Sequence, residues 1–191
     1  MSKIIQKSFY LLFCSSVLFY SCSNSTTSDD ESKKTAEEQN DDKFNSKDGE
    51  KDAQFVVDVI SGNYYEINLA SYAGMHSSSA EVKSMAKEMV DDHTSMMKQL
   101  KSIAASKTIS VPMDDSTEVK NAINDLHSAK PENFDKAWAD KMLEKHKASI
   151  SKLEDGLKDV RDTEIKAWIE GALPTVRKHY DMLTKFYEKT M

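Results

Sequence analysis

The stretch Met89–Pro112, MVDDHTSMMKQLKSIAASKTISVP, decides the fold. Its apolar side chains recur every three or four residues, and the pattern reaches back through Met85, Ala86 and Val82 and forward through Leu100, Ile103 and Ala104. That period marks a helix with one apolar face. The helix is expected over about residues 79–107, with Ser78 and Glu81 as a capping box at its start. His93 lies on the apolar face, where a polar side chain needs an explanation.

Three further helices read as partners. The first is expected from an N-cap at Asp52 to about His76, with Phe55, Val56, Val59, Ile60, Tyr64, Ile67 and Leu69 on one face. Gly62 inside it costs about 1 kcal/mol relative to alanine, which points to close helix contact or to space for a side chain opposite. Ser77-Ser78-Ser79 breaks it. The third follows Pro131, a favourable first-turn residue, and its face carries Phe134, Trp138, Met142, Leu143, His146, Ile150, Leu153 and Leu157. Asp162 caps the fourth, lined by Ile165, Trp168, Ile169, Val176, His179, Leu183 and Phe186, with a kink expected at Pro174.

Residues 108–131 form a connection far longer than the about 2–8 residues usual between bundle neighbours. A crossover to the other end of the bundle explains that length. It includes a short amphipathic piece, Val119-Ile123-Leu126. The fold class read from the chain is all-α, a four-helix bundle over residues 52–191 with a long crossover between the second and third helices.

The N-terminus carries address information. Lys3 and Lys7 precede an apolar run from Phe9 to Tyr20, too short for a mature membrane span and suited to an export signal. Leu18-Phe19-Tyr20-Ser21-Cys22 resembles a bacterial lipoprotein processing site. Residues 1–21 are thus expected to be a lipoprotein signal peptide, with lipid, palmitate included, on Cys22. Cys14 leaves with the leader, so no thiol remains for a disulfide. Residues 22–51 are rich in Ser, Thr, Asn and charge, with Phe44 the only large apolar side chain. They are expected to be a disordered acidic tether. Asp29-Asp30-Glu31 resembles the acidic surface-export signal of some outer-membrane lipoproteins.

Net charge is −6, and −8 once Lys3 and Lys7 are removed. An acidic chain lacks the basic patches that phosphates demand, so nucleic acid is not an expected partner. Nor should charge hold the protein to anionic lipid, which leaves the acyl chains as the anchor.

Three stretches, MVDDHTSMMKQLKSIAASKTISVP, FDKAWADKMLEKHKASI (residues 134–150) and LPTVRKHY (residues 173–180), together resemble the domain of unknown function 4142 family. The resemblance covers about residues 53–190. It rests on Asp92-His93 with a proline some twenty residues on, Phe134-Asp135 with His146 downstream, and Leu173-Pro174 with His179. It implies a ferritin-like four-helix fold and an exported, outer-membrane location. It implies no activity.

The long helices each carry one polar residue on the apolar stripe: Glu66, His93, His146 and His179. Counted from the turns, the histidines fall close to one level, and Glu66 about 7 Å off it, which makes Asp92 a second carboxylate candidate. Three imidazoles with a carboxylate suit Zn, Cu, Fe or Mn. A di-iron oxidase would need Glu-x-x-His pairs, yet Val90, Leu143 and Val176 stand three residues before the histidines. The surrounding methionines read as core filler. His76 and His127 read as surface residues. No phosphate-binding loop or nucleophile motif occurs, so no enzyme is expected. The leading expectation is a cell-envelope lipoprotein whose bundle is a binding, structural or stress-related module with a protein partner in the envelope. The alternative is a transition-metal site built from His93, His146 and His179, with Glu66 and Asp92 as carboxylates.

Overall fold

The computed structural model describes residues 30–113 and 116–190. The leader, Cys22 and the Asp29 part of the acidic run lie outside the described residues. The described chain is all helix: α1 Asp30–Lys43, α2 Lys47–His76, α3 Ala80–Ser106, α4 Thr117–Ser128, α5 Pro131–Asp159 and α6 Thr163–Thr190. Four of these are long, and each of the four carries one of the stripes read from the sequence. None is long and apolar enough to cross a membrane.

Helices α2 and α3 form one antiparallel pair and α5 and α6 the other. The pairs meet through α2 against α5 and α3 against α6. Contacts at the two ends fix the direction of travel. Lys107, just past the end of α3, pairs with Asp162 in the α5–α6 turn at 2.7 Å. Ser77, at the α2–α3 turn, donates to Asp135 near the start of α5 at 2.6 Å. The chain must therefore traverse the bundle between α3 and α5, and α4 makes that crossing against α2 and α5. Val119, Ala122 and Leu126 bury its apolar side.

Pro131 stands in the first turn of α5, as expected, and the expected cap at Asp162 is present. The Asp162 carboxylate accepts from the backbone N–H groups of Glu164 and Ile165 at 2.9 and 3.0 Å. At α3 it is Ser79, not Ser78, that accepts from Val82. Helix α6 runs unbroken through Pro174.

Two findings correct the reading of the N-terminal region. Residues 30–43, expected within a disordered tether, form α1, and α2 begins at Lys47 behind Ser46, whose hydroxyl accepts from Gly49 N–H at 3.1 Å. Helix α1 is polar, and it is held by hydrogen bonds as well as by the buried Ala36. The Asn40 amide donates to the Ser110 carbonyl at 2.9 Å and accepts from Ser110 N–H at 2.7 Å, clasping the start of the crossover. Asp52 is consequently not an N-cap. Buried inside α2, it accepts from Arg161 N–H at 2.9 Å and Asp162 N–H at 2.8 Å, so it satisfies the α5–α6 turn instead.

The core falls into two apolar halves. One, built around Ile60, Leu100, Leu153, Trp168 and Ile169, fills the end holding the α5–α6 turn. The other, around Leu69, Met89, Trp138, Met142 and Leu183, fills the end holding the α2–α3 turn. Met89, Met96 and Met142 are core residues, as read from the sequence. Between the halves runs a buried polar layer.

Candidate metal centre

That layer holds Asn63 and Glu66 from α2, His93 from α3, His146 from α5 and His179 from α6. The three histidines are 0–1 % exposed and Glu66 2 %, so their polar atoms must find partners inside the protein. Helical spacing puts each of them on its inward stripe, and the antiparallel pairing brings the stripes to one level. The ring centroids lie 5.1–5.6 Å apart.

Each ring has one nitrogen turned outward onto a hydrogen-bond acceptor. His146 Nδ1–H donates to the Met142 carbonyl at 2.9 Å. His179 Nε2–H donates to the Asp92 carboxylate at 3.0 Å. His93 Nδ1 faces Asn63 Oδ1 at 3.0 Å. The Asn63 amide nitrogen is already committed to the Val59 carbonyl at 2.9 Å, so Oδ1 is the accepting atom and His93 Nδ1 carries the proton. Glu66 reinforces the pattern, with Oε2 3.4 Å from His93 Nδ1 and Oε1 3.5 Å from His146 Nδ1. Ser149 donates to that same Oε1 at 3.0 Å.

These outward bonds set the tautomers. In the neutral rings the lone pairs sit on His93 Nε2, His146 Nε2 and His179 Nδ1, and these are the atoms that face one another. His93 Nε2 lies 3.4 Å from His146 Nε2 and 3.2 Å from His179 Nδ1, and all three gather within 4.8 Å. Three lone pairs aimed at a shared point in a buried layer repel one another, and a cation among them converts that repulsion into ligation. Two of the three separations suit it, since tetrahedral ligands at a Zn–N distance of 2.0–2.1 Å stand about 3.3 Å apart.

Burial pushes the His93 imidazole well below its ordinary 6.5, and the neighbouring His146 and His179 push the same way. Burial also lowers His179, against the opposing pull of Asp92. Burial raises Glu66, with His146 opposing. The two lowered histidines have a signed consequence. As pH falls below about 6.5 the unfolded chain takes up protons that the folded chain refuses, so stability drops. Glu66 acts oppositely, because the folded carboxyl takes its proton at higher pH than the unfolded one does. With two histidines against one carboxyl, the urea midpoint of the metal-free protein is expected to fall between pH 7 and pH 5.5. A midpoint that stays level or rises would show that His93 and His179 do not outweigh Glu66 in this range.

The sequence brought forward His93, His146, His179, Glu66 and Asp92, and the structure gathers all five. Glu66, reckoned about 7 Å off the level, reaches both His93 and His146, since a glutamate side chain extends along its helix. Glu66 and Asp92 both lie on the outward nitrogens, the place from which a carboxylate orients a ligand rather than the place of a ligand. Asn63 and Ser149 were not singled out. A polar residue one turn before Glu66 on the same stripe was the available signal for Asn63. His76 and His127 are exposed, His76 stacked on Tyr72 and His127 bonded to its hydroxyl. A second group, Glu88 and Asp92 with His179, opens toward the surface, with Glu88 paired to Lys178.

No curated protein and no solved structure gives a significant match to this chain. A family model does, described as domain of unknown function DUF4142, over residues 33–186. The match begins inside α1, takes in the whole polar layer and ends near the C-terminus of α6. The chain belongs to the DUF4142 family.

Proposed function

We propose that the bundle is a metal-binding module for a divalent first-row transition ion, held by His93 Nε2, His146 Nε2 and His179 Nδ1. The observation that carries this is the arrangement of hydrogen bonds: each outward nitrogen is tied to an acceptor, so the inward lone pairs converge. A buried histidine kept only for core polarity needs one partner. It does not need three rings oriented toward a common centre. With three nitrogens and no thiolate the expected affinity order is Cu above Zn above Mn. The proposal is one of binding, and it makes the alternative weighed in the sequence the preferred reading. The ferritin-like relationship remains part of the proposal, supported by the crossover between α3 and α5.

Residues that orient a ligand without touching the ion typically contribute 10–100-fold to affinity. Asp92→Ala removes the carboxylate from His179 Nε2 while leaving a position that is 38 % exposed, so the fold should tolerate it. Zinc affinity measured by chelator competition is expected to fall about 10–100-fold. An unchanged affinity would mean that Asp92 does not orient a metal ligand.

The proposed setting is the outer membrane, with the domain anchored by lipid on Cys22. It is supported by the leader pattern ahead of Cys22 in the sequence. Labelled palmitate should enter the wild-type protein in cells and not Cys22→Ala. Equal labelling of both would remove the anchor.

A further inference from the structure

Gly62 stands in the middle of α2, where glycine weakens the helix relative to alanine. Packing does not demand it, because a Cβ there would meet no atom within 4 Å. Gly156 makes the contrast. A Cβ on Gly156 would come within 2.4 Å of Phe55 Cε2, so that glycine is what lets α5 lie against α2.

The space over Gly62 belongs to a cavity of about 160 Å³. A single water needs about 10–15 Å³ by this measure, so there is room for a small cluster of them. Met96, Trp168 and Val176 form apolar walls. Asn63, Glu66 and His93, all three from the polar layer, border it together with Ser149. Asp58 and Lys152, paired with each other at 2.9 Å, stand toward solvent at its edge. The cavity thus reaches from the surface between α2 and α5 to the outward side of the histidine layer. Glu66 Oε2 completes the distance, 3.4 Å from His93 Nδ1.

We propose that this cleft is the entrance through which a hydrated divalent transition-metal ion reaches the three histidines, with the side-chain oxygens of Glu66, Asn63 and Ser149 as its first contacts inside. The proposal rests on the metal-binding reading above. An ion entering a buried site must exchange its water for other donors, and these oxygens supply them beside walls that are apolar apart from Asp58, Lys145 and Lys152. Gly62 keeps the passage wide at the cost of helix propensity. The ring of His93 is the last barrier between Glu66 and the inward nitrogens. A second groove lies across the bundle beside Gly171, where a Cβ would also meet nothing. It touches the layer only through Asp92, whose carboxylate is already bonded to His179.

The test compares rates with stoichiometry. Zinc uptake by the metal-free protein and zinc release to a chromophoric chelator would be followed for the wild type, Gly62→Leu, Gly62→Ala and Gly171→Leu. Gly62→Leu should slow both uptake and release about tenfold or more, with bound zinc per chain unchanged. Gly62→Ala, which adds only the Cβ that meets nothing, keeps the fold and should slow both rates by less. Gly171→Leu should leave both rates at the wild-type value. Unchanged rates in both Gly62 variants, or slowing confined to Gly171→Leu, would overturn the entrance while leaving the metal site standing. A wild type that takes up no zinc, copper, iron or manganese would remove the metal reading itself, and the entrance with it.

Discussion

His146→Ala is expected to abolish the stabilisation that metal confers on the folded chain while the helices persist. An ion that binds only the folded state stabilises it by about 2.7 kcal/mol at a hundredfold excess over Kd. For a chain of this size that is a rise in Tm of about 5–10 °C. His146 supplies one of three converging nitrogens, and two imidazoles cannot hold an ion at the same strength. In the variant the rise should vanish, with helical circular dichroism at low temperature close to that of the wild type. Removing one ring also relieves the lone-pair crowding in the metal-free layer, so the loss of His146 volume is partly offset there. A variant whose Tm still climbs with metal as the wild type does would place the binding elsewhere.

The second large effect belongs to Asp52, far from the histidines. Its carboxylate accepts from Arg161 N–H at 2.9 Å and Asp162 N–H at 2.8 Å, holding the α5–α6 turn against α2. Both bonds are partly buried, with Asp52 on the buried side, and an orphaned buried donor costs about 1–3 kcal/mol. Asp52→Ala should therefore destabilise the protein by about 2–4 kcal/mol. Asp52→Asn, which keeps one accepting oxygen, should lose less. Urea unfolding checks this through a lowered midpoint at unchanged slope. A loss below about 0.5 kcal/mol in the alanine variant, the range of an ordinary surface substitution, would show that the turn holds without it.

Asp52 also shows where the sequence was legible and where it was not. A buried aspartate ahead of an apolar run reads as an N-cap, because local chemistry is all a sequence displays. Its partners lie more than a hundred residues away, and nothing near Asp52 announces them. Helix α1 escaped notice for a related reason. Its composition is that of a solvated segment, and it is fixed partly by Asn40 bonding both backbone groups of Ser110, a pairing without periodicity. The stripes of α2, α3, α5 and α6 were readable because burying apolar side chains on a helix enforces a repeat of three and four. The crossover was readable from length alone, and α4 from Val119, Ile123 and Leu126.

The site divides the same way. Three histidines on three apolar stripes could be found by counting residues along helices. Their orientation could not, because it depends on Asn63, Met142 O and Asp92 taking the outward protons, and two of those three bonds are neighbourly only after the chain folds or the ring turns. His146 to the Met142 carbonyl is a one-turn contact that many helical histidines make. It acquires meaning only beside the other two. Glu66 was placed too far from its neighbours because counting follows the backbone, and its carboxylate stands well away from its own Cα.

Metal binding by the histidine layer is read out by elemental analysis of tag-free protein exposed in turn to Cu, Zn, Fe and Mn and then exchanged into metal-free buffer, with His93→Ala, His146→Ala and His179→Ala treated alongside. One tightly held ion per wild-type chain and none in any of the three variants is the expected result. No retained metal in the wild type, or equal metal in the wild type and the variants, would contradict it.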